Sequence, residues 1–241
     1  MNILVVSATE FEVKPLLDFL GIALPTVGIN NANIDFEDKD IQVLITGIGM
    51  VNTAFMVGRH SLNHYDLVVN AGVCGAFDKK LELGQIVNIT EDILSEMGAE
   101  DGDNFLTYNQ MNLPGEYIYS GSYKDSYLMV DLLKKVKGIT VNTVHGNETN
   151  IKKVKQLYDP DIESMEGAAF FAASINSGIN YSQVKIKTEE ITRPISYPHS
   201  ANIIQIRAIS NYVEKRDKEK WQMPLAIKNL NDFLITFIKN V

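Results

Sequence analysis

Short apolar runs rich in Ile and Val alternate with segments of helical periodicity along almost the whole chain. In the first pair, ILVVS (3–7) predicts a strand and EFEVKPLLDFL (10–20) predicts a helix with one apolar face. The same patterns predict strands at 41–47, 66–72, 84–90, 138–144, 161–164 and 202–210, and helices at 50–63, 126–136, 150–158, 165–178 and 223–240. Such alternation is typical of an α/β fold, here a three-layer α/β/α sandwich with a mostly parallel central sheet.

Composition sets the size and the partners that we expect. With 241 residues, of which 45% are hydrophobic and 22% charged, the chain predicts one domain over 1–241 with a sizeable core. The formal net charge of -8 argues against a nucleic-acid partner, because binding a phosphate backbone requires clustered Lys and Arg.

The N-terminal sequence and the cysteine count bear on compartment and metal content. MNILVVSATEFEV has no basic region before a long apolar run, so it does not resemble a signal peptide, and no stretch approaches the length of a membrane span. The single cysteine, Cys74, excludes an internal disulfide and a thiolate metal cluster. We therefore predict a cytoplasmic protein without a metal or another cofactor and without a membrane partner.

Ligands of open α/β sheets bind outside the carboxyl ends of the strands. Functional residues are therefore expected just after each predicted strand, at 7–12, 46–49, 71–75, 144–147, 165–166 and 210–211.

Two glutamates within these ranges have competing interpretations. Glu12 lies in the first turn of a helix, where an acid stabilises the helix dipole whether or not it takes part in catalysis. Glu166 begins a helix that is apolar on nearly every side and has no Lys or Arg nearby in the sequence. A buried carboxylate there requires a partner, and a ligand that hydrogen-bonds it, such as a sugar diol, would serve.

Three other features leave both a functional and a structural interpretation open. Gly72 and Gly75 permit either a turn or a close approach of the backbone to a ligand. His145 could act in catalysis, but spacing identifies no carboxylate partner for it. The acidic and aromatic segment 98–111 fits either a lid or a solvated connection.

Several motifs together resemble the purine nucleoside phosphorylase/nucleosidase superfamily. These are an early ATEFEV, MEGAA after a strand, and RAIS followed by a polar residue. Within that superfamily VNTVHGNE, ESMEGAAFF and IRAISNYVEKR are similar to the futalosine hydrolase family. The resemblance covers nearly the whole chain, and the C-terminal motif is its most specific part.

The resemblance implies roles for individual residues. A glutamate near the N-terminus activates the attacking water in such enzymes, and Glu12 occupies the matching position. The Met–Glu pair of MEGAA, here Met165 and Glu166, grips the ribose. Gly75 of AGVCGAF matches a backbone position that lines the substrate site. The residue after RAIS contacts N7 of the purine, which places Asn211, preceded by Ser210, at the base.

Asn211 departs from the aspartate found at this position in the adenine-cleaving nucleosidases. Hypoxanthine presents acceptors at N7 and O6, which the two N–H groups of an asparagine amide match, whereas a protonated carboxylic acid matches the acceptor and donor of adenine. A mismatch leaves a buried polar group unpaired at a cost of about 1–3 kcal/mol. Asn211 thus predicts a 6-oxopurine base, and the resemblance implies hydrolysis of futalosine to hypoxanthine and dehypoxanthine futalosine, in menaquinone biosynthesis.

Three alternatives to this function stay open. They are a nucleosidase of the methylthioadenosine/S-adenosylhomocysteine type, a purine nucleoside phosphorylase, and a nucleoside-binding protein without turnover. Phosphorolysis requires a cationic cradle near the first strand, and VVSATEFEV contains no Arg or Lys before Lys14, which favours water as the nucleophile.

The resemblance also leaves two regions to be explained. Relative to the family, segment 182–202 looks like an insertion. It joins the last strand at the end opposite the expected site, so its Arg193 and His199 are not expected to act in catalysis. The 5′ substituent of futalosine is a benzoate, and no cation can be assigned to its carboxylate from the sequence. The resemblance further implies a homo-oligomer in which a neighbouring subunit completes the pocket.

Overall fold

A computed structural model describes residues 1–22, 28–29, 34–60, 62–123, 127–177 and 201–241. These residues form twelve strands: β1 (Asn2–Ser7), β2 (Gly28–Ile29), β3 (Ile34–Phe36), β4 (Lys39–Ile45), β5 (Leu67–Ala76), β6 (Ile86–Leu94), β7 (Gly98–Asp101), β8 (Asn104–Thr107), β9 (Ile118–Ser120), β10 (Lys134–Thr140), β11 (Ile162–Ser164) and β12 (Asn202–Tyr212). The helices are α1 (Glu10–Leu20), α2 (Met50–Gly58), α3 (Leu128–Asp131), α4 (Glu148–Tyr158), α5 (Gly167–Asn176) and α6 (Met223–Asn240).

The large sheet has the strand order β11-β10-β6-β12-β5-β1-β4-β2, and β11 pairs again with β5. This additional pairing closes β5, β12, β6, β10 and β11 into a barrel-like ring, from which β1, β4 and β2 extend. Within the described residues, antiparallel pairings are as numerous as parallel ones in this sheet. The α/β class is confirmed, but the sheet is mixed and partly closed rather than mostly parallel.

Helices cover both faces of the sheet because successive strand residues point to opposite sides. In β1, Ile3 and Val5 pack into one cluster with α1 and α6, whereas Leu4 and Val6 pack into another with α2 and α5. The predicted apolar face of α1 is buried as expected, through Val13, Leu16, Leu17 and Leu20. None of the helices in the described part of the chain is long and apolar enough to cross a membrane.

Some predicted boundaries were wrong. The helix expected at 126–136 is reduced to α3, and β10 begins at Lys134, because the second half of that segment pairs with β6. The segment 98–111 contains the β7–β8 hairpin. Of the segment 182–202 only the last two residues are described, so the predicted insertion, with Arg193 and His199, lies outside the described residues.

Candidate active site

A cavity of about 700 Å³ lies at the carboxyl ends of β1, β5 and β12, where the strand pattern predicts a ligand site. This volume is in the range of small-molecule sites. The lining includes every residue to which the sequence assigns a substrate or catalytic role: Glu12, Gly75, Met165, Glu166, Ser210 and Asn211. The structure therefore brings together residues that are as much as 199 positions apart in the chain.

Both carboxylate oxygens of Glu12 accept hydrogen bonds from the protein. Its Oε2 accepts hydrogen bonds from the backbone N–H of Thr9 at 3.0 Å and from the Thr9 hydroxyl at 2.9 Å, and its Oε1 accepts from the backbone N–H of Val73 at 3.0 Å. Burial, and then the negative charge of Glu166, raise the pKa of Glu12, while Arg207 and the hydrogen bonds oppose the rise. A buried carboxylate with a raised pKa is suited to take a proton from a bound water.

Glu166 precedes α5 and has the partner that the sequence did not identify. Its Oε1 accepts a hydrogen bond from the backbone N–H of Gly49 at 3.1 Å, and its Oε2 lies 3.9 Å from Nη1 of Arg207. The Glu166 side chain is almost fully buried, so this cation compensates a charge that would otherwise be costly.

Arg207 is completely buried in the middle of β12. Its Nη2 donates to Oδ1 of Asn70 at 2.6 Å and its Nε donates to Oε1 of Gln205 at 3.1 Å. Nη1 has no hydrogen-bond partner among the described residues. Arg207 is not among the described residues that line the cavity, so its charge acts on Glu166, which does line it, from within the core.

A chain of hydrogen bonds extends from Arg207 to the start of α5. Gln205 donates from Nε2 to Oδ2 of Asp92 at 3.2 Å, and the Thr140 hydroxyl donates to Oδ1 of Asp92 at 2.8 Å. The Thr140 hydroxyl in turn accepts from the backbone N–H of Ala168 at 2.7 Å. Burial raises the pKa of Asp92 to about 6. This network links β12, β6, β10 and α5, and so positions Glu166 relative to Arg207.

Because Gly72 has no side chain, the side chains of Arg207 and Glu12 can approach the β5 backbone at this position. A Cβ at this position would collide with Nη1 of Arg207 and would lie 2.9 Å from Oε1 of Glu12. Both charged side chains therefore pack against the same point of the β5 backbone. Of the two interpretations left open for Gly72, close approach is the one that the structure supports.

Asn211 lies where β12 changes register against β5. Asn211 pairs with Gly75, and Ser210 is the extra residue of the bulge. The Asn211 Nδ2 donates to the carbonyl of Tyr212 at 3.1 Å, and Oδ1 accepts from the Ser210 hydroxyl at 2.8 Å. One N–H of the amide is thus used within the protein, and the other is left for a ligand, so Asn211 offers one donor rather than two.

His145 has a carboxylate partner after all. Its Nδ1 lies 2.7 Å from Oε2 of Glu163, and its backbone N–H donates to Oε1 of the same residue at 3.0 Å. Glu163 is 4% exposed and His145 is 17% exposed, and both line the cavity. Sequence spacing does not reveal this pair because the partners lie 18 residues apart, on either side of α4.

The segment that follows β12 contributes a cation and an aromatic ring to the rim. The guanidinium of Arg216 lies 5.2 Å from the ring centroid of Trp221, and both residues line the cavity. In the described part of the chain, Arg216 forms no ion pair with a carboxylate. No residue of segment 98–111 is among those described as lining the cavity, so a lid role for it is not supported here.

Comparisons with known proteins give the family. The model of the phosphorylase superfamily matches residues 2–239. A futalosine hydrolase from Thermus thermophilus is 26% identical over 194 residues, which is 78% of this chain and 76% of that protein.

Two solved structures share the fold over the whole chain. The native futalosine hydrolase of Helicobacter pylori superposes with a TM-score of 0.75 at 15% identity, covering 100% of this chain and 98% of that one. A 5′-methylthioadenosine/S-adenosylhomocysteine nucleosidase from the same organism has a TM-score of 0.74 at 15% identity, covering 100% and 99%. Because the family model spans nearly all of the sequence, the chain belongs to the phosphorylase superfamily.

Proposed function

We propose that the protein hydrolyses the N-glycosidic bond of futalosine and releases hypoxanthine and dehypoxanthine futalosine. Membership of the phosphorylase superfamily and the 26% identity to a futalosine hydrolase support this assignment. The step belongs to menaquinone biosynthesis in the family that the sequence resembles.

Asn211 is the observation that carries the choice of base. Its free N–H projects from a site beside Gly75, and the amide orientation is held by Ser210 and Tyr212. N7 is an acceptor in both bases, so the single free N–H selects at position 6, where it matches the acceptor O6 of a 6-oxopurine but would meet a donor in the 6-amino group of adenine. The 6-oxopurine is therefore favoured over adenine.

The charged cluster supplies the remaining chemistry. Departure of the base leaves an oxocarbenium-like sugar, and a water attacks C1′ as in other glycoside hydrolyses. Glu12 takes the proton of that water, and Glu166 accepts hydrogen bonds from the ribose hydroxyls. Arg207, buried behind the wall of the cavity, balances the charge of these two carboxylates.

Water is favoured over phosphate even though Arg207 supplies a cation that the first strand lacks. The guanidinium is fully buried, two of its nitrogens are tied to Gln205 and Asn70, and Glu12 and Glu166 lie beside it. A phosphate dianion at this point would face two carboxylates across a low-dielectric site, which is unfavourable. A neutral water carries no such cost.

The rim offers a cation for the 5′ substituent of the substrate. Arg216 stacks on Trp221, lines the same cavity and lacks a carboxylate partner within the described ranges. Guanidinium–carboxylate contacts are strong and directional. Arg216 is therefore the residue that we assign to the benzoate of futalosine.

A second candidate function is cleavage of methylthioadenosine or S-adenosylhomocysteine. The similarity in fold to the Helicobacter pylori nucleosidase, with a TM-score of 0.74, favours it. The amide of Asn211 argues against it, because an adenine would place its amino group opposite a donor.

The mouth of the cavity supports assembly with a second copy. Phe11 and Ile48 line it while remaining 66% and 57% exposed, and on α2 the neighbouring Val51 and Phe55 are 76% and 65% exposed. Exposed apolar groups clustered at a site are typical of a protein–protein interface. A homo-oligomer is expected, and light scattering behind a sizing column measures it. That 1–241 forms one domain and works in the cytoplasm stays a prediction from the sequence.

Incubation of the purified protein with futalosine, methylthioadenosine and inosine, each with and without phosphate, tests the assignment. Chromatography identifies the released base. Hypoxanthine from futalosine, at a rate independent of phosphate, is the expected result. Release of adenine from methylthioadenosine would show the second candidate function instead. Phosphate-dependent release of hypoxanthine from inosine would identify a phosphorylase, and binding without turnover would identify a nucleoside-binding protein.

A further inference from the structure

The proposed reaction lacks a proton donor for the leaving base. Hypoxanthine must gain a proton when its bond to C1′ breaks, and an amide such as that of Asn211 does not ionise near neutral pH. Asn211 also has only one N–H to offer, since the other is donated to the carbonyl of Tyr212. A 6-oxopurine with acceptors at both N7 and O6 therefore requires a second donor.

The His145–Glu163 pair lies on the same side of the cavity as Asn211. A Cβ at Gly75 would lie 3.1 Å from Nδ2 of Asn211 and 3.7 Å from Cγ of Glu163, so these two side chains flank one glycine. β11 carries Glu163 to this position by pairing with β5, the contact that closes the sheet. The imidazole held by Glu163 thus shares the part of the cavity that Asn211 occupies.

The Glu163 carboxylate fixes the tautomer and orientation of His145. Nδ1 faces the carboxylate at 2.7 Å, so that nitrogen carries a proton and Nε2 is left for the cavity. Other charged groups near this pair come from the segment after β12, where the backbone of Glu214 and Arg216 packs against Gly146.

We propose that His145, oriented by Glu163, is the general acid that protonates the departing purine. This inference rests on the proposed function. As the bond from C1′ to the base breaks, its electron pair passes to the purine, and the proton on Nε2 moves to the purine acceptor. Water adds to C1′ and gives its proton to Glu12. Neutral His145 then regains a proton from solvent, and Glu12 loses its proton to solvent.

A purely structural role predicts different behaviour. If the pair only ties the loop after β10 to β11, its loss would lower the free energy of unfolding and change KM and kcat together. If His145 is the acid, its loss lowers kcat by about 10²- to 10⁴-fold, the usual size of a general-acid contribution, with little change in KM. The pH profile separates the two roles further, because kcat falls at high pH only when an acid must keep its proton.

The test compares wild type, His145→Gln and Glu163→Gln with futalosine over a range of pH. For His145→Gln we expect at least about a hundredfold loss in kcat, a KM within about threefold of wild type, and disappearance of the basic limb of the kcat profile. Glu163→Gln keeps an acceptor for Nδ1–H but removes the carboxylate that orients the ring, and should lower kcat with little change in KM. His64→Gln makes the same change at an exposed histidine outside the cavity and should behave as wild type.

The proposal fails if folded His145→Gln retains kcat within about threefold of wild type, or if its basic limb is unchanged. Circular dichroism establishes folding. Should His145→Gln not fold, Glu163→Gln decides the matter, and a kcat within about threefold of wild type there also overturns the proposal. Failure of the function itself is seen separately, as absence of hypoxanthine release by wild type. In that case wild type, His145→Gln and Glu163→Gln are compared on the nucleoside that wild type does cleave. An unchanged kcat in the variants then refutes the role of His145.

Discussion

Replacing Asn211 by Asp tests the basis of base selection most directly. In wild type, Nδ2 donates to the Tyr212 carbonyl and presents its second N–H to the cavity, while Oδ1 accepts from Ser210. An ionised aspartate has no donor for either role and would face the Tyr212 carbonyl with a second oxygen. A protonated aspartate has one O–H, which matches the N7 of adenine while its carbonyl accepts from the 6-amino group.

The expected magnitude follows from the number of contacts that change. Loss of the donor to a 6-oxopurine leaves a buried acceptor unpaired, at about 1–3 kcal/mol, or roughly 5- to 150-fold in kcat/KM. A 6-aminopurine gains a comparable contact when the side chain is protonated. The ratio of kcat/KM for the oxo over the amino substrate should therefore fall by roughly 10²-fold or more.

Futalosine and its 6-amino analogue differ only at C6, so competition between them isolates the effect of the base. The released hypoxanthine and adenine are separated chromatographically from one mixture. Asn109→Asp, which makes the same substitution at an exposed position outside the cavity, should leave the ratio unchanged. If Asn211→Asp changes the ratio by less than about threefold, Asn211 does not select the base and the assignment loses its main support.

Three further predictions concern other parts of the site. Glu12→Gln should lower kcat by about 10²- to 10⁴-fold while calorimetry still detects futalosine binding, and undiminished turnover would remove Glu12 from the mechanism. Arg216→Gln should raise KM roughly tenfold for futalosine but not for inosine, which lacks the benzoate, and equal changes for both would refute the assignment. Burial raises the pKa of Asp92 to about 6 in the folded state, against a reference value of 3.8, so its contribution to the free energy of unfolding should fall by roughly 2 kcal/mol as pH rises from 4 to 6. Asp92→Asn should therefore be more stable relative to wild type at pH 7 than at pH 4 in urea unfolding, and an equal difference at both would contradict this.

Much of the fold is encoded in local patterns, but the closure of the sheet is not. The α1 face and the buried strands follow from hydrophobic periodicity, which reports burial and element type. Periodicity does not report which strand edges pair, so the antiparallel contact of β11 with β5 was not predicted. The segment 126–136 reads as one helix, yet pairing with β6 turns Lys134 onward into a strand, with tertiary contacts overriding local propensity.

Sequence patterns predict the site residues that lie at strand ends. They do not predict the residues whose role depends on a partner distant in the sequence. Glu12 and Asn211 lie just after or at the end of strands, as the sheet rule requires. Arg207 lies inside a strand, outside the positions that rule selects, although a charged residue within the apolar run IIQIRAIS was a signal that it is paired. The His145–Glu163 pair has no such signal in the sequence.

The buried polar residues depend on one another, which explains why a charged side chain such as that of Arg207 is found in the core. Arg207 is tolerable in the core because Glu166, Asn70 and Gln205 satisfy or balance it, and Gln205 is held in turn by Asp92. Removing one member leaves the others buried without a partner, so the effects of single substitutions should not add.

The same interdependence accounts for two glycines of the sequence motifs. A Cβ at Gly72 would collide with Arg207, and a Cβ at Gly167 of MEGAA would collide with Asp92 and Gln205. These glycines therefore make room for the charged network rather than for a turn. The network in turn fixes the positions of Glu12, to which we assign the activation of water, and Glu166, to which we assign the ribose. The catalytic geometry is thus encoded in the strand interiors as much as at the strand ends.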